Sequence, residues 1–232
     1  MKVAGISNIG LHRKRNEDQF LIDQTRQLFL VCDGMGGHKG GDVASLLAVQ
    51  TMQESFHFEH PNDILPALLQ AAAKANENIY NRGNADESLH EMGTTLTAAV
   101  LADEDIYIAH VGDSSLFLYR EGNLTKITRD HTLAEQMIID GLALSREGSY
   151  NHILTRAVGV ESTVEIDLYQ EKVKNGDWIL MCTDGLTDLV TESEMIEYLK
   201  IANDPESTAR DLVAAALDKG GFDNITLVLI CI

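Results

Sequence analysis

Three aspartates share one setting: each stands at the mouth of an apolar run of the length and composition of a buried strand. Leu28-Phe29-Leu30-Val31-Cys32 leads into Asp33-Gly34, and Trp178-Ile179-Leu180-Met181-Cys182 into Thr183-Asp184-Gly185. Asp223 precedes the run from Ile225 to Ile230, Asp113 falls in the turn Val111-Gly112-Asp113-Ser114, and Glu17 and Asp18 lie in the first loop. Carboxylates gathered at the ends of core strands repel one another unless a counter-charge sits among them. A donor set of oxygens, with no Cys or His partner, suits Mg²⁺ or Mn²⁺ rather than zinc. Two such ions, roughly 3.5–4 Å apart, would share Asp33 and activate a bridging water for in-line attack on phosphorus. Arg13, in the basic cluster Arg13-Lys14-Arg15 of an otherwise acidic chain, has the planar fork that grips a phosphate bidentately.

Taken singly, these residues are ordinary. Asp-Gly is a favoured turn dipeptide, Glu17-Asp18 is exposed loop acid, and His38 and His131 are loop histidines. The glycine loop Asp33-Gly34-Met35-Gly36-Gly37-His38-Lys39-Gly40-Gly41 lets a backbone turn sharply and a ligand approach closely. It is not a nucleotide fingerprint, because Lys39 occupies the third glycine position of G-x-G-x-x-G and no G-K-[ST] follows. Cysteine phosphatase chemistry is excluded, since C-x₅-R is absent: His38 and Asp188 fall six residues after Cys32 and Cys182. A D-x-D-G aspartyl nucleophile is absent as well.

The elements that must position these groups are legible in outline. Val3 to Ser7 reads as a strand, and Phe20 to Ile22 with Leu28 to Cys32 as a hairpin. Helices are expected from about Asp42 to Phe56, with Val43, Leu46 and Leu47 on the buried face, and from about Asp63 to Asn81, ended by Gly83-Asn84-Ala85-Asp86. Thr94 to Leu101, Asp105 to His110, Ser115 to Tyr119 and Leu124 to Thr128 read as successive strands. A short helix near Leu133 to Asp140 and a polar segment from Ser145 to Asn151 form a flap over about 133–151. Glu165 to Tyr169 is strand-like, Thr191-Glu192-Ser193-Glu194 is a capping box, and Asp204-Pro205 opens a further helix closed by Gly220-Gly221. Strands in runs, interrupted by pairs of helices, predict a layered α/β (α+β) arrangement with largely antiparallel sheets in one domain over residues 1–232.

The 232 residues suffice for a substantial core, and the formal net charge of −18 argues against a nucleic-acid partner. No apolar leader and no run of eighteen apolar residues occurs, so no membrane partner is expected. Cys32, Cys182 and Cys231 lie in apolar runs without C-x-x-C spacing, which predicts reduced thiols and an intracellular, cytoplasmic protein; a monomer is expected.

The ordered set carries more than its parts. Arg13-x-x-Asn16-Glu17-Asp18, Asp33-Gly34-Met35-Gly36-Gly37-His38, Met92-Gly93-Thr94-Thr95 and Val111-Gly112-Asp113-Ser114 come first. Asp130-His131-Thr132, Leu154-Thr155-Arg156-Ala157-Val158-Gly159, Thr183-Asp184-Gly185-Leu186-Thr187-Asp188 and Gly221-Phe222-Asp223-Asn224 follow. Over about 5–230 the chain resembles the metal-dependent protein phosphatase 2C (PPM) family, in its compact bacterial branch. The resemblance implies a β-sandwich of two antiparallel sheets flanked by helix pairs, with Mn²⁺ or Mg²⁺ in a cleft at one end. It implies that Asp33 bridges two ions, that Gly34 offers its carbonyl, and that Asp184 and Asp223 complete the first ion's sphere. Glu17 and Asp18 match positions serving the second ion, directly or through water. Asp113 matches a ligand of a third ion, shared with Asp184, and Arg13 the phosphate-binding arginine. Ser115 and Asp42 depart from the Arg and Glu usual in bacterial members, at positions that do not ligate metal. Met35 stands where animal members carry a proposed acid histidine, so leaving-group protonation falls to metal-bound water or to His38.

The function so implied is hydrolysis of phosphoserine and phosphothreonine in proteins, without a phosphoenzyme. Phosphorylated proteins are the expected substrates, with Ser/Thr kinases or a small phosphorylated signalling protein as expected partners. Two rivals are a catalytically silent binding module, disfavoured because every carboxylate position is filled, and a two-metal nuclease or nucleotidase, disfavoured by the negative charge.

Overall fold

The structure is a computed structural model that describes residues 1–36, 40–142 and 149–232. β1 (Lys2–Asn8), β2 (Asp18–Asp23) and β3 (Leu28–Met35) are followed by α1 (Gly41–Ser55) and α2 (Ile64–Ala85). Next come β4 (Gly93–Thr94), β5 (Leu96–Ala102), β6 (Asp105–Val111), β7 (Ser115–Arg120), β8 (Asn123–Lys126) and α3 (Leu133–Ile139). β9 (Asp167–Lys172), β10 (Trp178–Cys182), the one-turn α4 (Asp184–Thr187), α5 (Glu192–Lys200), α6 (Pro205–Asp218) and β11 (Ile225–Cys231) complete the chain.

Two antiparallel sheets result, as expected. One runs β1-β11-β10-β7-β8 and the other β2-β3-β5-β6-β9, with β4 added to the end of β3. Strand β3 shows why its sequence is apolar throughout. Leu28, Leu30 and Cys32 face the helix pair α1–α2, while Phe29 and Val31 face the opposite sheet. A strand buried on both faces cannot alternate apolar with polar residues. Ile106, Ile108, Leu116, Leu118, Ile179, Met181, Val228 and Ile230 fill the space between the sheets, and α5 and α6 cover the outer face of the second one. The order is therefore helices, sheet, sheet, helices.

Several local expectations shift. β3 does not stop at Cys32 but runs on to Met35, because Gly34 and Met35 pair with Thr94 and Gly93. The buried face of α1 is Ala44, Ser45, Ala48, Val49 and Met52, whereas Leu46 is 44% exposed and Val43 and Leu47 are only partly buried. Small residues let this helix lie close against the sheet, and that proximity outweighs side-chain size. Helix α2 runs through Gly83 to Ala85, and Gly83 is buried there, where an added Cβ would stand 3.2 Å from the Leu89 carbonyl oxygen. Asp184 opens α4 rather than ending a strand. The capping box at Thr191 and Glu194 and the Asp204 cap onto Ser207 form as read. Within the expected flap, α3 lies among the described residues, and 143–148 lie outside them. Among the described residues no helix is long and apolar enough to cross a membrane.

Candidate metal centre

One end of the sandwich opens into a cleft of about 980 Å³ lined by Arg13, Glu17, Asp33, Gly34, Asp113, Asp184 and Asp223. Residues from the first 34 positions and the last ten thus meet at one place. His38 lies outside the described residues. Asp18 is not on the cleft wall: it is 2% exposed, beneath the floor, where the Thr183 hydroxyl donates to its Oδ2 at 2.9 Å.

The backbone fixes most of these groups. Asp33 sits opposite Asp18 in the β2–β3 register, so two carboxylates face each other across one pair of strands. Like charges so placed destabilise a sheet. The Asp33 main chain is held on both sides: its N–H donates to Thr95 Oγ1 at 2.8 Å, and its carbonyl accepts from the Thr95 N–H at 2.8 Å and the Thr94 hydroxyl at 2.9 Å. Gly34 packs backbone to backbone against Gly41, and a Cβ at Gly34 would strike the Gly41 carbonyl oxygen. Glycine is required there by close approach rather than by dihedral angle. Asn224 ties the last loop to the first, its Oδ1 accepting from the Glu17 N–H at 2.8 Å and its Nδ2 donating to the Ile9 and Arg15 carbonyls at 2.9 Å each.

Electrostatics in the cleft follow from crowding. Asp33 is held well above the usual carboxylate range by loss of solvent and by Asp18, Asp184, Asp113 and Asp223. Burial pushes Asp18 up to about 7 against the opposing hydroxyls of Thr226 and Thr183, with Asp184 adding to the rise. Asp113 is pushed up to about 8 by burial and by Asp184, and Glu17 is raised by burial and by Asp42. Among the described residues, two cations answer this charge. Arg13 Nη2 donates to Asp223 Oδ2 at 2.5 Å, and His152 Nδ1 lies 3.9 Å from Asp184 Oδ2 and 3.6 Å from Asp188 Oδ2. Contact with Asp184 and the charge of Asp188 raise His152 to about 9, so its ring is charged at neutral pH.

Do these residues fit a divalent cation? Among the described residues, the buried oxygens Asp18 Oδ1 and Asp184 Oδ1 have no hydrogen-bond partner. A buried carboxylate oxygen without a donor is costly, and a hard cation is the natural partner of such a set. Glu17, Asp33, the Gly34 carbonyl, Asp113, Asp184 and Asp223 offer oxygens alone, and they fit Mn²⁺ or Mg²⁺. Among the described residues, the donors converging within 4.8 Å of one another are those of His152, Asp184 and Asp188.

Sequence reasoning gave no role to His152 or Asp188, which line the cleft, or to Thr183 beneath it. Asp188 and Thr183 stand in the Thr183–Asp188 motif, but their surroundings are set by long-range contacts, Thr183 meeting Asp18 and Asp188 meeting His152. His152 lies one residue beyond the segment read as a flap, where no periodicity marks it. Thr95 and Asn224 also lay within quoted motifs, and their work is done through backbone contacts invisible to residue type. The departure at Asp42 leaves it facing Arg15 at 3.7 Å on the surface.

Comparison with known proteins agrees with this geometry. Residues 12–219 match the family described as protein phosphatase 2C. The serine/threonine phosphatase stp of Listeria monocytogenes is 36% identical over 234 residues, covering 95% of this chain and 92% of that protein. The crystal structure of the Mycobacterium tuberculosis serine/threonine phosphatase PstP/Ppp superposes with a TM-score of 0.92 at 34% identity, covering 98% of this chain and 97% of that one. The catalytic domain of PstP in complex with two manganese ions superposes with a TM-score of 0.89 at 35% identity, covering 98% and 96%. With the fold, the acidic cleft and these likenesses in agreement, the chain belongs to the protein phosphatase 2C family of metal-dependent serine/threonine protein phosphatases.

Proposed function

We propose that Asp33, Asp184 and Asp223, with Glu17, Asp113 and the Gly34 carbonyl, hold the divalent ions, and that Arg13 binds the substrate's phosphoryl group. Asp18 acts from beneath, and a third ion at Asp113 and Asp184 is part of the reading. The single observation that carries it is the meeting, in one cleft, of six carboxylates, Glu17, Asp33, Asp113, Asp184, Asp188 and Asp223, beside Arg13. The reaction is hydrolysis of phosphoserine and phosphothreonine in proteins of bacterial-type phospho-signalling, and the whole of residues 1–232 acts as one phosphatase domain. Ser/Thr kinases or a small phosphorylated signalling protein are its proposed partners, and the cytoplasm its proposed location.

When bound, Mn²⁺ or Mg²⁺ supplies Lewis acidity and a nucleophile generated from water near neutral pH. The protein's part is positioning. Strand β3 and the Thr94–Thr95 hydrogen bonds hold Asp33 rigidly, and Asn224 sets the first loop against the last. The Arg13 guanidinium, surrounded by Asp223, Asp33 and Asp184, offers its fork to phosphoryl oxygens at the cleft wall. Burial pushes the Cys182 thiol up to about 12 and raises Cys32 too, so neither supplies a thiolate for a phosphoenzyme.

The test is release of phosphate from a phosphothreonine peptide. Release is expected with Mn²⁺, is lost in excess EDTA, and falls by more than about 10³-fold in Asp33→Asn. Release that survives chelation or the substitution would end the metal-centred reading.

A further inference from the structure

The loops that carry Arg13 and Asp223 also carry an aromatic pair that the reaction does not use. The Leu11 N–H donates to the Gly221 carbonyl at 2.8 Å, and Gly10, at φ +76°, packs against the Asp223 carbonyl oxygen, where a Cβ would collide. So clasped, the loops bring His12 and Phe222 into a stack with centroids 5.1 Å apart and planes 28° from parallel. The Phe222 ring also lies against Gly220, at φ +124°, where an added Cβ would stand 2.6 Å from the ring. Phe222 is held by these two contacts, yet it is 60% exposed, and neighbouring Leu11 is 65% exposed. Phe222 lines the same cleft as Arg13 and Asp223, together with Leu189.

We infer that the His12–Phe222 stack is a subsite for an apolar side chain of the phosphoprotein substrate, one or two residues from the phosphorylated position. This rests on the proposed phosphate role of Arg13. Three observations favour that occupant. His12 and Phe222 are each the chain neighbour of a residue at the phosphate end, Arg13 and Asp223, and consecutive Cα atoms lie about 3.8 Å apart. Phe222 and Arg13 line one cleft, so a substrate strand advancing at about 3.3–3.6 Å per residue can set a side chain close to the phosphorylated one against the ring. Six carboxylates line the cleft beside apolar Met35, Ile153, Leu154 and Leu189, and the chain carries a net charge of −18, so acidic flanks are repelled while an apolar contact costs nothing electrostatically. The ring is already ordered by His12 and Gly220, so little side-chain freedom is lost when a substrate covers it.

The experiment compares phosphothreonine peptides of one sequence, with Leu or Ser placed in turn at positions −2, −1, +1 and +2, in Mn²⁺. At one position the native protein is expected to favour Leu over Ser by about tenfold in kcat/KM, through KM. Phe222→Ser should bring that ratio below about twofold, and Phe222→Leu, which keeps an apolar surface, should retain most of it. Absence of preference at every position, or a preference undiminished in Phe222→Ser, overturns the subsite while leaving the phosphatase reading intact. A dimer of the native protein that Phe222→Ser abolishes overturns it too, because a second copy would then be the occupant. No hydrolysis of any peptide would overturn both readings.

Discussion

Asp223 Oδ2 is occupied by Arg13, and Asp184 Oδ2 faces a charged His152, so side-chain cations already neutralise part of the acidic cleft. Arg13 is thereby given two uses for one guanidinium: it faces Asp223 and, in the proposed function, the phosphoryl group. These uses can be separated. Arg13→Ala removes a charged hydrogen bond to phosphate, worth about 1.5–3 kcal/mol, and should raise KM for a phosphothreonine peptide about 10–100-fold. The same change frees Asp223 of a competing cation, so the Mn²⁺ concentration for half-maximal activity should stay level or fall. Arg13→Lys restores the charge without the fork and should recover only part of the KM. Titrating peptide and Mn²⁺ separately reads both effects, and an unchanged KM would remove Arg13 from the phosphate site.

Among the elements, the turn between β6 and β7 that presents Asp113 depends on a histidine from the segment leading into α3. The Gly112 N–H donates to His131 Nδ1 at 3.1 Å, which leaves the ring hydrogen on Nε2, 3.2 Å from Asp167 Oδ2. Arg156 in turn donates to Asp167 Oδ1 at 2.9 Å, so β9 braces the ring and the ring braces the turn. Residues that orient metal-binding groups typically cost 10–100-fold in metal affinity when replaced, and His131→Leu should raise half-activating Mn²⁺ at least about tenfold. His131→Gln keeps an acceptor and a donor and should move it by less than about threefold. Equal effects of Leu and Gln in the Mn²⁺ titration would reduce His131 to a packing residue. This bracing was legible only in part. The Asp130-His131-Thr132 and Gly112-Asp113 motifs could be read, but not that their backbone and ring would meet, since long-range hydrogen bonds leave no local periodicity. Strand β3 and the capped helices α5 and α6 were readable because burial on both faces and capping chemistry act locally. The buried face of α1 was misread because Ala44 and Ala48 pack tightly without being large. The carboxylates were identifiable as a set, yet Asp18 and Glu17, adjacent in sequence, part company at β2, where alternation turns one inward and leaves the other on the cleft.

At the scale of the whole molecule, the cleft is a stability defect that depends on protons and metal. Asp18 and Asp113, pushed up to about 7 and about 8, have folded-state values above their ordinary value of 3.8. The metal-free folded protein therefore binds more protons than the unfolded chain between these limits. Stability is full below the ordinary value and is lost as pH rises through about 7 to 8, with a slope of up to about 1.4 kcal/mol per pH unit for each group. His152, raised to about 9, acts in the same direction above its ordinary 6.5. Buried His110, lowered to about 3 by desolvation and by His131, and His131, lowered by desolvation, act oppositely, chiefly below about pH 7. The cleft therefore dominates the window from pH 6.5 to 8. In EDTA the melting temperature should fall across that window by about 5–10 °C, since the two carboxylates lose about 2–2.5 kcal/mol there and each kcal/mol moves a chain of this size by about 2–4 °C. Saturating Mn²⁺ displaces the protons, so the stabilisation it confers should grow with pH rather than stay constant. Asp113→Asn should be more stable than the native protein in EDTA at pH 8 and should gain less from Mn²⁺. If the EDTA melting curve is flat from pH 6.5 to 8 and the Mn²⁺ increment is the same at both ends, the carboxylates do not share one charged cleft in the way their positions require.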